Sequence, residues 1–142
     1  MKISARNRFN GTVSALTEGA VSVGVGIETA AGDRLVAVVT RESVDALGLA
    51  VGSPVTALVK APWVMLMVDV GEVKFSARNR LSGVVESVDT GPVNAEVAIR
   101  LPGGTLVHAV VTRDAVLALG LKPGVSATAL IKASHVVLAC PA

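Results

Sequence analysis

Ten of the 13 basic residues in this 142-residue chain fall into five pairs with one common spacing of 72 positions: Lys2 and Lys74, Arg6 and Arg78, Arg8 and Arg80, Arg41 and Arg113, Lys60 and Lys132. Of the 11 acidic residues, only Glu42 and Asp114 recur in this way. A copied face that merely stays solvated would keep acids as readily as bases, so the asymmetry favours a duplicated anion site over a duplicated surface. Hydrogen-bond donors recur among the bases, namely Ser4 and Ser76, Asn7 and Asn79, Thr40 and Thr112. Arginine offers a planar fork of donors, lysine a compact charge, and serine or threonine one directional hydroxyl. That set suits a small tetrahedral oxyanion, whose oxygens accept hydrogen bonds and donate none. At roughly 1.5–3 kcal/mol for each hydrogen bond to a charged group, four or five donors suffice for the roughly 8 kcal/mol of micromolar binding.

Plainer roles exist for several members. Thr40 and Thr112 are suited to cap a helix whatever else they do, and Glu42 and Asp114 fall where a first-turn carboxylate favours the helix dipole. In an extended segment Arg6 and Arg8 point one way and Asn7 the other, as do Arg78, Arg80 and Asn79, so one arginine of each pair is free to face solvent. Neither histidine recurs, since His108 aligns with Val36 and His135 with Trp63. No nucleophile, base and orienting acid stand together in the sequence, and neither a dinucleotide fingerprint nor a phosphate-binding loop occurs, so no enzymatic activity is expected.

The pairs are one expression of a duplication covering nearly the whole chain. Without a gap, 30 of the 65 positions from Ser4 to Val68 are identical to the residues 72 places on. The expected domains are 1–70 and 71–142. Within the first, alternating apolar runs predict strands over 11–16, 21–27, 34–40, 55–60 and 64–68, and the second repeats them, as at 93–99. The segment 40–49 reads instead as a short helix capped by Thr40. Five strands and one short helix in about 70 residues predict an all-β chain of two tandem OB-like Greek-key barrels. Units this small, rich in Val, Leu and Ala, have thin cores, so oligomerisation is expected.

Composition bounds the remaining classes. The formal charge of +2 is too small to indicate nucleic acid by itself, and the three aromatic residues, Phe9, Trp63 and Phe75, have no aromatic counterparts in the other repeat, so base-stacking platforms are missing. The longest uncharged stretch, 46–59, contains Gly48, Gly52, Ser53 and Pro54 and does not read as a membrane span. With no apolar leader after Met1, a cytoplasmic location is expected. The single cysteine, Cys140, offers neither a disulfide nor a thiolate cluster.

At Ser-Ala-Arg-Asn, Val-Val-Thr-Arg, Gly-Leu-x-x-Gly and the Lys-Ala-Pro or Lys-Ala-Ser ending, the sequence resembles the molybdate-binding Mop domain, also called molbindin or TOBE-type. Two tandem copies look like the di-Mop cytoplasmic molybdate-binding proteins. The resemblance implies an OB-like fold, a homotrimer, and molybdate or tungstate as ligand at interfaces between Mop units, with no other cofactor and no direct protein–metal bond. The anion contacts it implies are Ser4, Arg6, Thr40 and Lys60, with Ser76, Arg78, Thr112 and Lys132 in the second copy. A further hydroxyl, Ser43, has Ala115 as its counterpart, and Pro62 stands where the second copy has Ser134, so the two classes of site need not be equal. An axial anion site is implied at Gly19, Ala20, Val21 and Ser22 and at Gly91, Pro92, Val93 and Asn94, where Ser22 and Pro92 depart from the family pattern. Storage or homeostasis of the oxyanion is the function this implies. The alternative is an OB-type regulatory or interaction module that uses its basic pairs to bind a protein or nucleic acid.

Overall fold

The computed structural model describes residues 1–141. In chain order the first repeat forms β1 (Asn7–Glu18), β2 (Ser22–Thr29), β3 (Arg34–Thr40), α1 (Arg41–Leu47), β4 (Pro54–Val59), a 3-10 turn (Ala61–Trp63) and β5 (Met65–Met67). The second forms β6 (Asn79–Thr90), β7 (Asn94–Arg100), β8 (Leu106–Thr112), α2 (Arg113–Leu119), β9 (Ser126–Ile131), a 3-10 turn (Ala133–His135) and β10 (Val137–Ala139). The expected all-β class with one short helix per repeat is observed. The strand expected over 11–16 starts earlier and ends later, because one long β1 serves two partners. Its first half pairs antiparallel with β4 and its second half with β2, with a bulge between Val13 and Ala15 where the strand bends. The same bend recurs in β6 between Val85 and Ser87. At the crossing, Gly11 lies so close to the Glu28 carbonyl, and Gly83 to that of Arg100, that a Cβ would not fit.

Both helices stop for one local reason. Gly48 and Gly120 take left-handed backbone (φ 63° and 64°) and return their N–H groups to carbonyls of the last turn. At the other end Thr40 and Thr112 accept from the N–H three residues on, at 3.1 Å in each case.

The sheets do not follow the sequence repeat. Their orders are β10-β4-β1-β2-β3 and β5-β9-β6-β7-β8. The last strand of each repeat crosses over to the other repeat's sheet, where Leu138 sits opposite Ala57 and Leu66 opposite Ala129. The 3-10 turns that launch these strands, absent from the sequence reading, pack against the opposite repeat, the first beside β8 and the second beside β3. Buried residues of both repeats join in one core that includes Phe9, Ile27, Leu35, Ile99 and Ile131.

Three pairs of repeat-equivalent residues meet one another. The Thr105 hydroxyl donates to the Asp33 carboxylate (2.5 Å), the Trp63 and His135 rings lie 5.1 Å apart, and Gly103 abuts Ala31. Equivalent residues touch only near a two-fold axis, so the repeats are related as the halves of an isologous dimer.

Candidate functional site

The exchange of strands decides which of the paired residues come together. Arg6, Asn7 and Arg8 alternate exposed, buried and exposed, as extended chain requires. Asn7 reaches the second repeat, where its Nδ2 donates to the His108 carbonyl (2.8 Å) and its Oδ1 accepts from the His108 N–H (2.7 Å). Asn79 does the same to Val36, at 2.8 and 2.7 Å. These asparagines are spent on the outer edges of β8 and β3, the last strands of their sheets, and are unavailable to an anion. Sequence reasoning placed them among the donors because pairing across the repeats marks structural and ligand-binding residues alike.

Tied down by Asn79, Arg78 lies against the first repeat's sheet and lines a cleft of about 380 Å³ with Thr17, Glu18, Ser22, Gly24 and Val38. Ser22 is shared with a second cleft of about 400 Å³ that also contains Thr40, Ser43, Leu47 and Ser134. Thr40 and Ser43 hydroxyls stand 2.8 Å apart. Ser134, two residues beyond Lys132, arrives on the 3-10 turn that the crossover packs on β3. The first repeat's Thr40, Ser43 and Ser22 are thus completed by the second repeat's Arg78 and Ser134. Glu18, the carboxylate in this region, has the Arg41 guanidinium at 3.8 Å.

Across the two-fold axis the same positions carry Thr112, Ala115, Asn94, Arg6 and Pro62. Here the Arg6 guanidinium donates to Glu96 on β7 at 2.5 Å, and His108 Nδ1 is 3.4 Å from the same carboxylate oxygen. Lys60 Nζ lies 5.8 Å from the centre of the Trp63 ring. The groupings suggested by the repeat, Ser4, Arg6, Thr40 and Lys60 in one set and Ser76, Arg78, Thr112 and Lys132 in the other, are therefore recombined between repeats. The physical cause is that both ends of each repeat, the segment entering its first strand and the turn after its fourth, lie on the other unit. Ser4 and Ser76 remain exposed before β1 and β6 and line neither cleft.

The residues of the axial reading form tight turns. Gly19 donates to the Ser22 carbonyl (2.9 Å) and Gly91 to that of Asn94 (2.8 Å), and the Val21 and Val93 carbonyls accept from Arg41 and Arg113. Ala20, Val21, Ser22, Pro92, Val93 and Asn94 are all exposed. The turns thus sit beside the helix starts, and Ser22 carries one of them into both clefts.

The TOBE domain family matches residues 3–66 and 76–138. The chain belongs to that family. Its similarity to the solved structure of the cytoplasmic molybdate-binding protein ModG, crystallised with molybdate bound, runs over 99% of this chain and 100% of that one, with 58% identity and a TM-score of 0.97. Among curated relatives it is 48% identical to the molybdenum transport protein ModE of Azotobacter vinelandii over 98% of its length, and 45% identical to the molybdenum-pterin-binding protein MopA of Rhodobacter capsulatus over 99%. It spans about half the length of these relatives, 51% and 53%. The tandem TOBE architecture explains the duplication, and the likeness to ModG agrees with the OB-like reading of each repeat.

In this tandem TOBE chain no group of three or more His, Cys, Asp or Glu capable of holding a bare metal ion occurs among the described residues. What the clefts offer is hydrogen-bond donors. They fit a ligand whose own oxygens face the protein.

Proposed function

We infer that the protein binds molybdate or tungstate as the intact tetrahedral oxyanion and releases it unchanged, serving storage and homeostasis in the cytoplasm. The observation that carries this reading is the full-length likeness to ModG at 58% identity, in a protein solved with molybdate bound. The donor set supports it: a guanidinium from one repeat and hydroxyls from both converge on the first sheet, with Lys132 at the start of the neighbouring turn. Binding, rather than turnover, is the activity, because such a set has hydrogen bonds to give to the oxygens of an intact anion. Ser4, Arg6, Lys60, Ser76, Thr112 and the turns at 19–22 and 91–94 are proposed as further contacts, completed at interfaces of a homotrimer.

Titration calorimetry with molybdate, repeated in excess sulfate and phosphate, tests the reading. Heat that sulfate fails to displace is expected, with the Lys60→Ala and Lys132→Ala variants weakened about tenfold or more for each lost charged hydrogen bond. No heat, and no molybdenum retained through gel filtration, would overturn it. The ModE relatives of Yersinia pestis and Escherichia coli, named as transcriptional regulators, favour a second reading in which the same fold serves as part of a regulator, and the additional half of those relatives lies outside this chain's match.

A further inference from the structure

The two cradles that the two-fold axis would make alike differ at several lining positions, among them Ser22 against Asn94, Val36 against His108, and Glu18, which faces Arg41, against Thr90; four further differences bear on the groups around the arginine, the helix start and the lysine. Where the first cradle has Gly24, the second has Glu96; where the first has Ser43, the second has Ala115; where the first has Ser134, the second has Pro62; and Trp63, whose ring faces Lys60, replaces the His135 that follows Lys132. Three of these replacements take away something an anion would use. Glu96 places a carboxylate on the guanidinium of Arg6 at 2.5 Å, whereas Arg78 has no ion-pair partner among the described residues. Ala115 removes a hydroxyl, leaving Thr112 without the 2.8 Å neighbour that Thr40 has. Pro62 removes a second hydroxyl and a backbone N–H.

The sequence alone distributes these losses. Ala115 belongs to the second repeat and Pro62 to the first, so in sequence each repeat lacks one hydroxyl that the other has. Strand exchange brings both to one side of the axis, because the turn bearing Pro62 packs on β8, at whose end Thr112 and Ala115 lie. The Arg–Glu pair falls on the same side.

The geometry points to a division of labour within one chain: the cradle of Arg78, Ser22, Thr40, Ser43 and Ser134 is the tight oxyanion site, and the cradle of Arg6 and Thr112 is a weak one whose arginine is held by an internal carboxylate, Glu96. This rests on the oxyanion-binding reading above and adds which residues make the sites unequal. In the second cradle Glu96 occupies the guanidinium fork that an incoming dianion needs. Binding there requires that pair to break, and fewer donors remain to offset the cost. Loss of even one hydrogen bond to a charged group corresponds to about tenfold in affinity or more. The two classes are therefore separated by at least that factor, and Glu96 sets part of the gap.

The test is equilibrium dialysis of the full chain against molybdate, with molybdenum counted per protein, for the wild type and four variants. The wild type is expected to show a tight and a weaker class. Arg78→Ala removes the tight class. Glu96→Gln, which keeps the size of the side chain and removes its charge, tightens the weaker class severalfold. The double variant Arg6→Ala/Glu96→Gln loses that gain, which separates release of Arg6 from a general change in net charge. Pro62→Ser/Ala115→Ser, which restores the donors, tightens the weaker class by about tenfold or more. Each variant is checked by circular dichroism and gel filtration, and the gain-of-affinity variants keep the proposal falsifiable if Arg78→Ala fails to fold. A single class of equal sites in the wild type, or a weaker class unmoved by Glu96→Gln and by the serine pair, would overturn the proposal and leave the oxyanion-binding reading standing. No retained molybdenum in the wild type would overturn both.

Discussion

Replacing Asn79 by Ala tests the contact that joins the repeats and aims Arg78. The Asn79 side chain is 2% exposed and makes two short hydrogen bonds to one residue, accepting from the Val36 N–H at 2.7 Å and donating to the Val36 carbonyl at 2.8 Å. Val36 lies on β3, the last strand of its sheet, so these bonds occupy an edge that would otherwise be open to another strand. Alanine removes both and leaves a backbone donor and an acceptor without partners. At roughly 1–3 kcal/mol for each group left unpaired in a partly buried place, and with water able to recover part of that, the expected loss is about 2–4 kcal/mol. Asn7→Ala, with the same distances to His108, should cost the same. Urea unfolding followed by circular dichroism gives the number, a drop in midpoint at constant slope marking a change in stability alone. Asn10→Ala is the control, an exposed asparagine whose Oδ1 accepts from the Thr56 hydroxyl at 2.8 Å, expected within about 0.5 kcal/mol of wild type. A loss below about 0.5 kcal/mol in both Asn79→Ala and Asn7→Ala would refute the assignment of these residues as the clasp between repeats.

Other substitutions probe the remaining links. Gly11→Ala should destabilise by about 2 kcal/mol or more on urea unfolding, because its Cβ has no room beside the Glu28 carbonyl. Thr40→Ala and Thr112→Ala should each cost about 1 kcal/mol of stability as lost caps, while calorimetry with molybdate should show the larger affinity loss for Thr40→Ala. Leu138→Asp places a charge at a buried position of the exchanged strand opposite Ala57, and thermal unfolding should show a loss of about 3 kcal/mol or more.

The parts of the fold legible in the sequence are those set by local rules. The strands β2 and β3 alternate as written while β4 and β9 end in runs buried on both faces, and both helices begin at the threonine and end at the glycine that local chemistry requires. The turn after β4 was not legible, since a three-residue 3-10 segment leaves no periodicity, and the destination of the strand that follows depends on packing between distant residues. That one event decides the candidate site. Thr40, Arg78 and Lys132 were singled out by residue type and recurrence and Ser43 by the family resemblance, but their partners were not, because a sequence repeat shows which residues are equivalent and says nothing about which are adjacent. The pair Arg6 and Glu96 illustrates the limit. Ninety positions separate them, and Glu96 has glycine as its counterpart, so comparison of the repeats passed over the residue that most alters the second cradle.

The tandem arrangement gives that inequality a physical basis. In a symmetric dimer of single repeats every substitution appears in both cradles, so a serine lost from one is lost from the other. Fusion into one chain breaks the constraint, and strand exchange lets the sites diverge while the fold is kept. Each cradle draws on both repeats, so Ala115 from one and Pro62 from the other fall together, and their counterparts Ser43 and Ser134 meet across the axis. The framework that must stay symmetric has done so: Asn7 and Asn79, the two glycine helix ends and the two glycine crossings are all retained in pairs. Among the many positions at which the repeats differ, Ser43 against Ala115 and Ser134 against Pro62 change ligand donors. A chain with one strong and one weakened cradle responds to the oxyanion over a wider concentration range than two equal sites would allow, which suits the storage role proposed above.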